Sequence, residues 1–207
     1  CRGFFIIAGT GSEAVIDGPD SIVFAQSRVE PGFNNPGSEG ILTLRNGGRI
    51  VSTDYINHGR FGTVRGTGFV DGQWSAQGIV SPGENGPGVL IAEQNLLFLA
   101  TARTILDIAG PTPGSQHDLL AVAGNASLNG TIEISAAPGF DPPVGSTYDV
   151  MTYSSRSGPG FASVVSAALP AGKAFLVNTL PDRVRVEVGG VQSITPSAAS
   201  VSTYTGF

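Results

Sequence analysis

Cysteine, lysine, methionine and tryptophan each occur once in these 207 residues, and histidine occurs twice. The one cysteine is residue 1, so no disulfide can close within the chain. Charged residues make up 13% of the sequence, about half the usual share. The formal net charge is −5, and ten of the eleven basic residues are scattered arginines, with only Arg183 and Arg185 close together. Nucleic acid and anionic membrane surfaces need clustered cations, so neither is an expected partner. There is no apolar run of about 18 residues, the length a membrane-crossing helix needs. No long stretch shows the apolar spacing of a helix.

What the chain has instead is turn residues and short apolar runs. It carries 30 Gly and 14 Pro beside 41% hydrophobic residues, a composition for a folded, turn-rich protein rather than a disordered one. Between Gly78 and Tyr153 the β-type runs Val89–Ala92, Leu96–Ala100, Thr104–Ala109, Leu119–Ala123, Thr131–Ser135 and Tyr148–Tyr153 are cut by Gly, Pro, Asn and Asp. Such spacing predicts an all-β fold. From Val15 to Gly110 a weak repeat of about 24 residues emerges, with blocks starting near Val15, Glu39, Thr63 and Pro87. In that alignment Gly40–Leu44 and Gly88–Ala92 hold equivalent places, and Asn46-Gly47-Gly48 forms a turn. Two or three short strands per block describe one coil of a right-handed parallel β-helix, which buries a core only when coils stack. After Thr131 the runs lengthen. Phe175–Thr179 and Arg183–Val188 read as a hairpin, with Val184, Val186 and Val188 on one face.

Leu42–Ile50, Gly66-Thr67-Gly68 with Trp74, and Ser81-Pro82-Gly83 followed by Gly88–Ile91 resemble repeats of bacterial autotransporter passenger domains and of β-helical exported proteins of the PEP-CTERM type. Ile105–Gly110 and Gly114–Ile132 are similar to the D-x-L-x-V-x-G-x-x-x-L-x-G-x-L stretch that ends many such β-helices. The resemblance spans about residues 40–190 and implies secretion and a β-helix. Neither the membrane barrel of the first family nor the C-terminal Pro-Glu-Pro, helix and basic tail of the second is in the sequence. The expected organisation is an apolar strand at 1–14, β-helix-like repeats at 15–117, an antiparallel, sandwich-like β cap at 118–190 and a Ser/Thr-rich tail or exchanged strand at 191–207. A chain that begins without Met is expected to be a processed product or a fragment, its signal peptide removed. Cys1 is then a lipid-bearing residue, a disulfide partner for another molecule, or a cut site.

Candidate chemistry is sparse. Gly9-Thr10-Gly11-Ser12-Glu13-Ala14 matches a dinucleotide fingerprint, but Val15-Ile16-Asp17-Gly18-Pro19 cannot open the helix that such a site requires. There is no G-x-S-x-G elbow, and adjacent His117 and Asp118 would point opposite ways on an extended chain. Both His58 and His117 are expected in exposed turns, without metal-ligand spacing. Asp54, Asp71 and Glu93 fall at different places in their blocks and form no evident row. Asp17, Asp20 and the Asp141 loop lack a calcium-loop pattern. Asn125-Ala-Ser127 and Asn129-Gly-Thr131 match glycosylation sequons and read as turns flanking Leu128. No catalytic residue, cofactor or metal is expected.

These readings predict an exported, non-enzymatic structural or adhesive protein, displayed on a surface or self-assembling into an extracellular filament or coat. Its expected partners are other copies of itself, through strand addition, and surface glycans. Phe4, Phe5, Ile6 and Ile7 at one end and Val191, Ile194 and Val201 at the other form the expected assembly interface, and Trp74 the expected surface contact. Two alternatives are a β-helical protein that binds or cleaves polysaccharide, and a trimeric phage or cell-surface adhesin with Phe69 or Trp74 at the threefold contact.

Overall fold

The computed structural model describes residues 4–170 and 172–190; Cys1, Val191, Ile194 and Val201 lie outside them. The described residues form no helix, so none is long and apolar enough to cross a membrane. They form 18 strands. The first nine are β1 (Phe5–Ile7), β2 (Ser12–Asp17), β3 (Ile22–Ala25), β4 (Val29–Pro31), β5 (Gly40–Arg45), β6 (Arg49–His58), β7 (Gly62–Gly66), β8 (Phe69–Ala76) and β9 (Ile79–Pro82). There follow β10 (Val89–Ala92), β11 (Leu96–Phe98), β12 (Arg103–Ile108), β13 (Leu119–Ser127), β14 (Thr131–Ala136), β15 (Thr147–Ser157), β16 (Ser163–Ser166), β17 (Lys173–Thr179) and β18 (Arg183–Gly190).

Two sheets result. The smaller has 7 strands in the order β16-β14-β12-β9-β7-β5-β2, every neighbouring pair parallel. The larger has 11 strands and runs β1-β4-β6-β8-β10-β13-β15-β18-β17, with β3 beside β6 and β11 between β8 and β13. Only β15–β18 and β17–β18 are antiparallel. The chain passes from one sheet to the other and back, because parallel neighbours cannot be joined by a tight hairpin.

Strand periodicity decides what is buried. Leu42, Val64, Val80, Thr104 and Ile132 stand opposite one another on successive strands of the smaller sheet and are fully buried. The column continues to Val164 on β16, which is 50% exposed. On the larger sheet Ile50, Val70, Ala92 and Val122 form a matching buried column. The pairing register shifts between Val51 and Tyr55 on β6 and between Val122 and Asn125 on β13. β6 carries two extra residues there relative to β8, and β13 one relative to β15; extra residues of this kind bend the strand that holds them.

The two-residue turn before β6 behaves as the sequence suggests: Asn46 has φ 49° and Gly47 has φ 83°, a left-handed pair that Asn and Gly tolerate. The β17–β18 hairpin also forms, with Val184, Val186 and Val188 buried. On its outer face Arg183 and Arg185 both donate to Asp149, at 2.7 Å each, and hold that carboxyl below the usual range, Arg185 most strongly.

Other expectations need correction. Gly40–Leu44 and Gly88–Ala92 are not equivalent, since β5 lies in the smaller sheet and β10 in the larger. No constant repeat exists to align them: Thr63 pairs with Ile79, sixteen residues on, and Thr131 with Ser163, thirty-two on. Parallel pairing does not stop near residue 118 but continues through β13, β14 and β16. Asn125 lies inside β13 rather than in a turn. The N-terminal apolar strand, expected to pair with another copy, pairs within the chain, β1 beside β4.

Candidate functional site

Beyond the bend, the outer face of the larger sheet presents two rows of side chains. Because alternate residues face outward, burial of Ile56, Trp74, Leu96 and Ala126 leaves their neighbours on the surface. One row is Tyr55, Gln73, Asn95, Asn125 and Ser155, on β6, β8, the residue just before β11, β13 and β15. The second is Asn57, Ser75, Leu97, Ser127 and Ser157, each in register with the next. Neither row contains an acid, lysine or arginine.

Hydrogen bonds fix these side chains before any ligand arrives. Asn125 Nδ2 donates to Ser155 Oγ at 3.0 Å, and Ser157 Oγ donates to Asn125 Oδ1 at 2.9 Å. Asn95 Oδ1 accepts the Asn125 backbone N–H at 2.8 Å. Gln73 Nε2 donates to Gln94 Oε1 at 3.0 Å, and Gln94 Nε2 to Asp71 Oδ1 at 2.9 Å. Tyr55 Oη accepts from Arg28 at 3.0 Å. Between the rows lies a hollow of about 280 Å³, with Tyr55, Gln73, Asn95, Leu97 and Asn125 on its walls. Tyr55 is 36% exposed and Leu97 41%, the two large apolar side chains on a face of amides and hydroxyls.

A charged cluster flanks this face on the near side of the bend. Arg49 pairs with Glu93 and stands 3.9 Å from Asp71, with its guanidinium 4.5 Å above the Phe69 ring. Asp71 and Glu93 therefore do come together at Arg49, contrary to the block alignment, because the chain leaving β10 stays beside β8 and the Glu93 N–H bonds the Val70 carbonyl at 2.9 Å. Asp54 is not part of the cluster; it lies in the register shift of β6 and is exposed.

The two histidines are not exposed turn residues. His58, the last residue of β6, is fully buried, and neither ring nitrogen has a hydrogen-bond partner among the described residues. Its ring stacks on Trp74 at 6.2 Å, and burial lowers its pKa to about 4. Trp74 is itself 2% exposed, so it offers no surface contact; its neighbours Gln73, exposed, and Ser75, half-buried, lie on the outer face instead. His117 is 2% exposed, with Nδ1 3.0 Å from the Gly110 carbonyl and its ring edge-on to Tyr148. Asp118 is buried beside it and accepts the N–H groups of Gly88 at 2.7 Å and Asp107 at 2.8 Å. Burial pushes its pKa up to about 7 against the pull of those two donors. All of Asp118's partners are backbone amides, which makes it a clamp on the 110–118 loop. Among the described residues no group of three or more His, Cys, Asp or Glu side chains is placed to hold a metal ion.

At the two ends of the sheets the pattern differs. Phe4, Ile6, Val15, Ile22 and Phe24 are exposed at the end formed by β1, β2 and β3, and Val164, Val165 and Leu176 at the end formed by β16 and β17. Phe5 is half-buried and Ile7 buried, so only alternate residues of the expected N-terminal interface are presented.

Neither row of the polar face was legible as a motif, and the comparisons add no prior: no protein-family model matches the chain, and no curated protein matches it.

Proposed function

We propose that this chain is an exported, non-enzymatic β-helical module, a structural or adhesive unit of a cell surface or of an extracellular filament or coat. The alternation of β5, β7 and β9 with β6, β8 and β10 between sheets supports a coil, and the register shift in β6 is where such a coil would turn. Parallel crossovers are almost always right-handed, which sets the expected hand. The β17–β18 hairpin is then its antiparallel end piece.

The observation that carries the assembly reading is strand polarity. Every strand of the smaller sheet runs the same way, so β2 at one end and β16 at the other are parallel edges. In the larger sheet the two antiparallel steps, β15–β18 and β18–β17, return β17 to the direction of β15 and hence of β1. A second copy can thus add β2 to β16 without reversing direction, burying exposed apolar residues from both ends. Such a head-to-tail contact repeats into a fibre unless it closes into a ring.

Val164→Lys with Val165→Lys places charge on the β16 edge at two exposed positions, a substitution that blocks edge pairing. Sedimentation velocity should show concentration-dependent multimers for the wild type and monomers for the variant, with unchanged β circular dichroism. Val15→Lys, at an exposed position of the β2 edge, should act likewise from the opposite end. A wild type that stays monomeric, or multimers indifferent to both changes, would overturn the assembly reading.

A further inference from the structure

We infer that the outer face carrying the Tyr55–Ser155 row binds a neutral, polyhydroxylated ligand, a saccharide chain lying across the strands. This inference does not depend on self-assembly, since the whole face belongs to one copy.

The donor and acceptor inventory comes first. A sugar hydroxyl both donates and accepts, and so do carboxamides and serine hydroxyls, whereas ionised side chains do only one or the other. Gln73 spends one of its two N–H donors on Gln94 and keeps its other donor and its carbonyl. Asn95 uses its carbonyl oxygen on the Asn125 N–H and keeps its NH2 group. These free groups sit on neighbouring strands above one hollow. Their geometry is fixed by the bonds to Gln94, Asp71, Ser155 and Ser157, so binding does not have to order them first.

Shape and charge narrow the ligand class. Tyr55 and Leu97 present apolar surface within reach of the amides, as a pyranose ring with one C–H face and hydroxyl edges requires. The rows cross five strands, a track of roughly 19 Å at the usual strand spacing, longer than a single sugar. Neither row carries an ionised side chain; the nearby Asp71 and Glu93 are both served by Arg49, and Arg28 beside Tyr55 is paired with Glu30 at 3.3 Å, so the charges that border the face are matched and favour neither a polyanion nor a polycation.

The test uses the full chain carrying Val164→Lys and Val165→Lys, so that failure to assemble cannot be mistaken for failure to bind. It is screened on an immobilised panel of neutral and acidic oligosaccharides, with a Gly/Ser-rich peptide as the non-sugar control. Hits are titrated by calorimetry and by the emission of Trp74, the only tryptophan, which is among the residues that line the hollow. At least one neutral oligosaccharide is expected to bind and to shift that emission. Tyr55→Ala and Gln73→Ala, both at exposed positions, are each expected to weaken it about tenfold with unchanged circular dichroism. No neutral glycan bound, equal affinity in both variants, or preference for the peptide or for acidic glycans would each overturn the inference.

Discussion

Leu120→Asp is expected to leave the protein unfolded at room temperature. Leu120 sits on β13 between Leu90 and Met151 in register, and all three side chains are completely buried. An aspartate there loses the packing of the leucine and brings a carboxylate into a column that offers it no partner. Each effect costs several kcal/mol, against a total stability of about 5–15 kcal/mol for an ordinary domain. Leu97→Asp is the matched control. Leu97 is 41% exposed on the outer row, and its replacement should shift stability by no more than about 0.5 kcal/mol. Thermal melts followed by circular dichroism separate the two, and equal melting temperatures for Leu120→Asp and wild type would place β13 elsewhere.

Acidification is expected to destabilise the fold through His58. Its pKa falls from 6.5 in the unfolded chain to about 4 in the fold because burial penalises the charged ring, against a smaller opposing pull from the Gly62 backbone. A lowered folded-state pKa means that the unfolded chain takes up the proton first. The stability owed to a neutral His58 is therefore complete above about pH 6.5 and is lost as pH drops toward 4, a difference of about 3 kcal/mol. Asp118 acts in the opposite sense. Its raised pKa makes the folded state the tighter proton binder, so its contribution is complete below pH 3.8 and fades as pH rises through about 7. Urea midpoints measured from pH 7 to pH 4 should fall more steeply in Asp118→Asn, where the opposing group is gone, and less steeply in His58→Phe. Identical slopes in wild type and His58→Phe would remove His58 from the explanation.

How much of this was legible in the sequence follows from the range over which each signal acts. Strands are announced locally, by alternation and by turn residues, so β10, β12, β14 and the β17–β18 hairpin lie where the apolar runs suggest. Asn46-Gly47 likewise makes its own turn. The burial of the two unusual aromatics was also written locally: Ile56 and His58 share a strand face, as do Val70, Trp74 and Ala76. Room for the His58 ring comes from afar. A Cβ on Gly78, twenty residues on, would lie 2.7 Å from Nε2, and one on Gly62, in the next strand, would lie 2.8 Å from Cδ2, so glycines outside β6 make the pocket that a turn assignment overlooked. The polar face needed the full register. Gln73 comes to lie beside Asn95 across 22 residues and Asn95 beside Asn125 across 30, so a block of constant length misaligns both them and the Asp71–Glu93 pair.

That register is the centre of the account, because the buried columns, the polar rows and the sheet ends all depend on it. It can be read by pulsed electron resonance between two nitroxide labels at Tyr55 and Ser155, in a Cys1→Ser background. These positions end one row, four strand spacings apart, so the expected result is a single narrow distribution for a backbone separation of roughly 19 Å. A broad distribution, or one centred far beyond that span, would contradict the stacking of β6, β8, β11, β13 and β15 and with it the face they build.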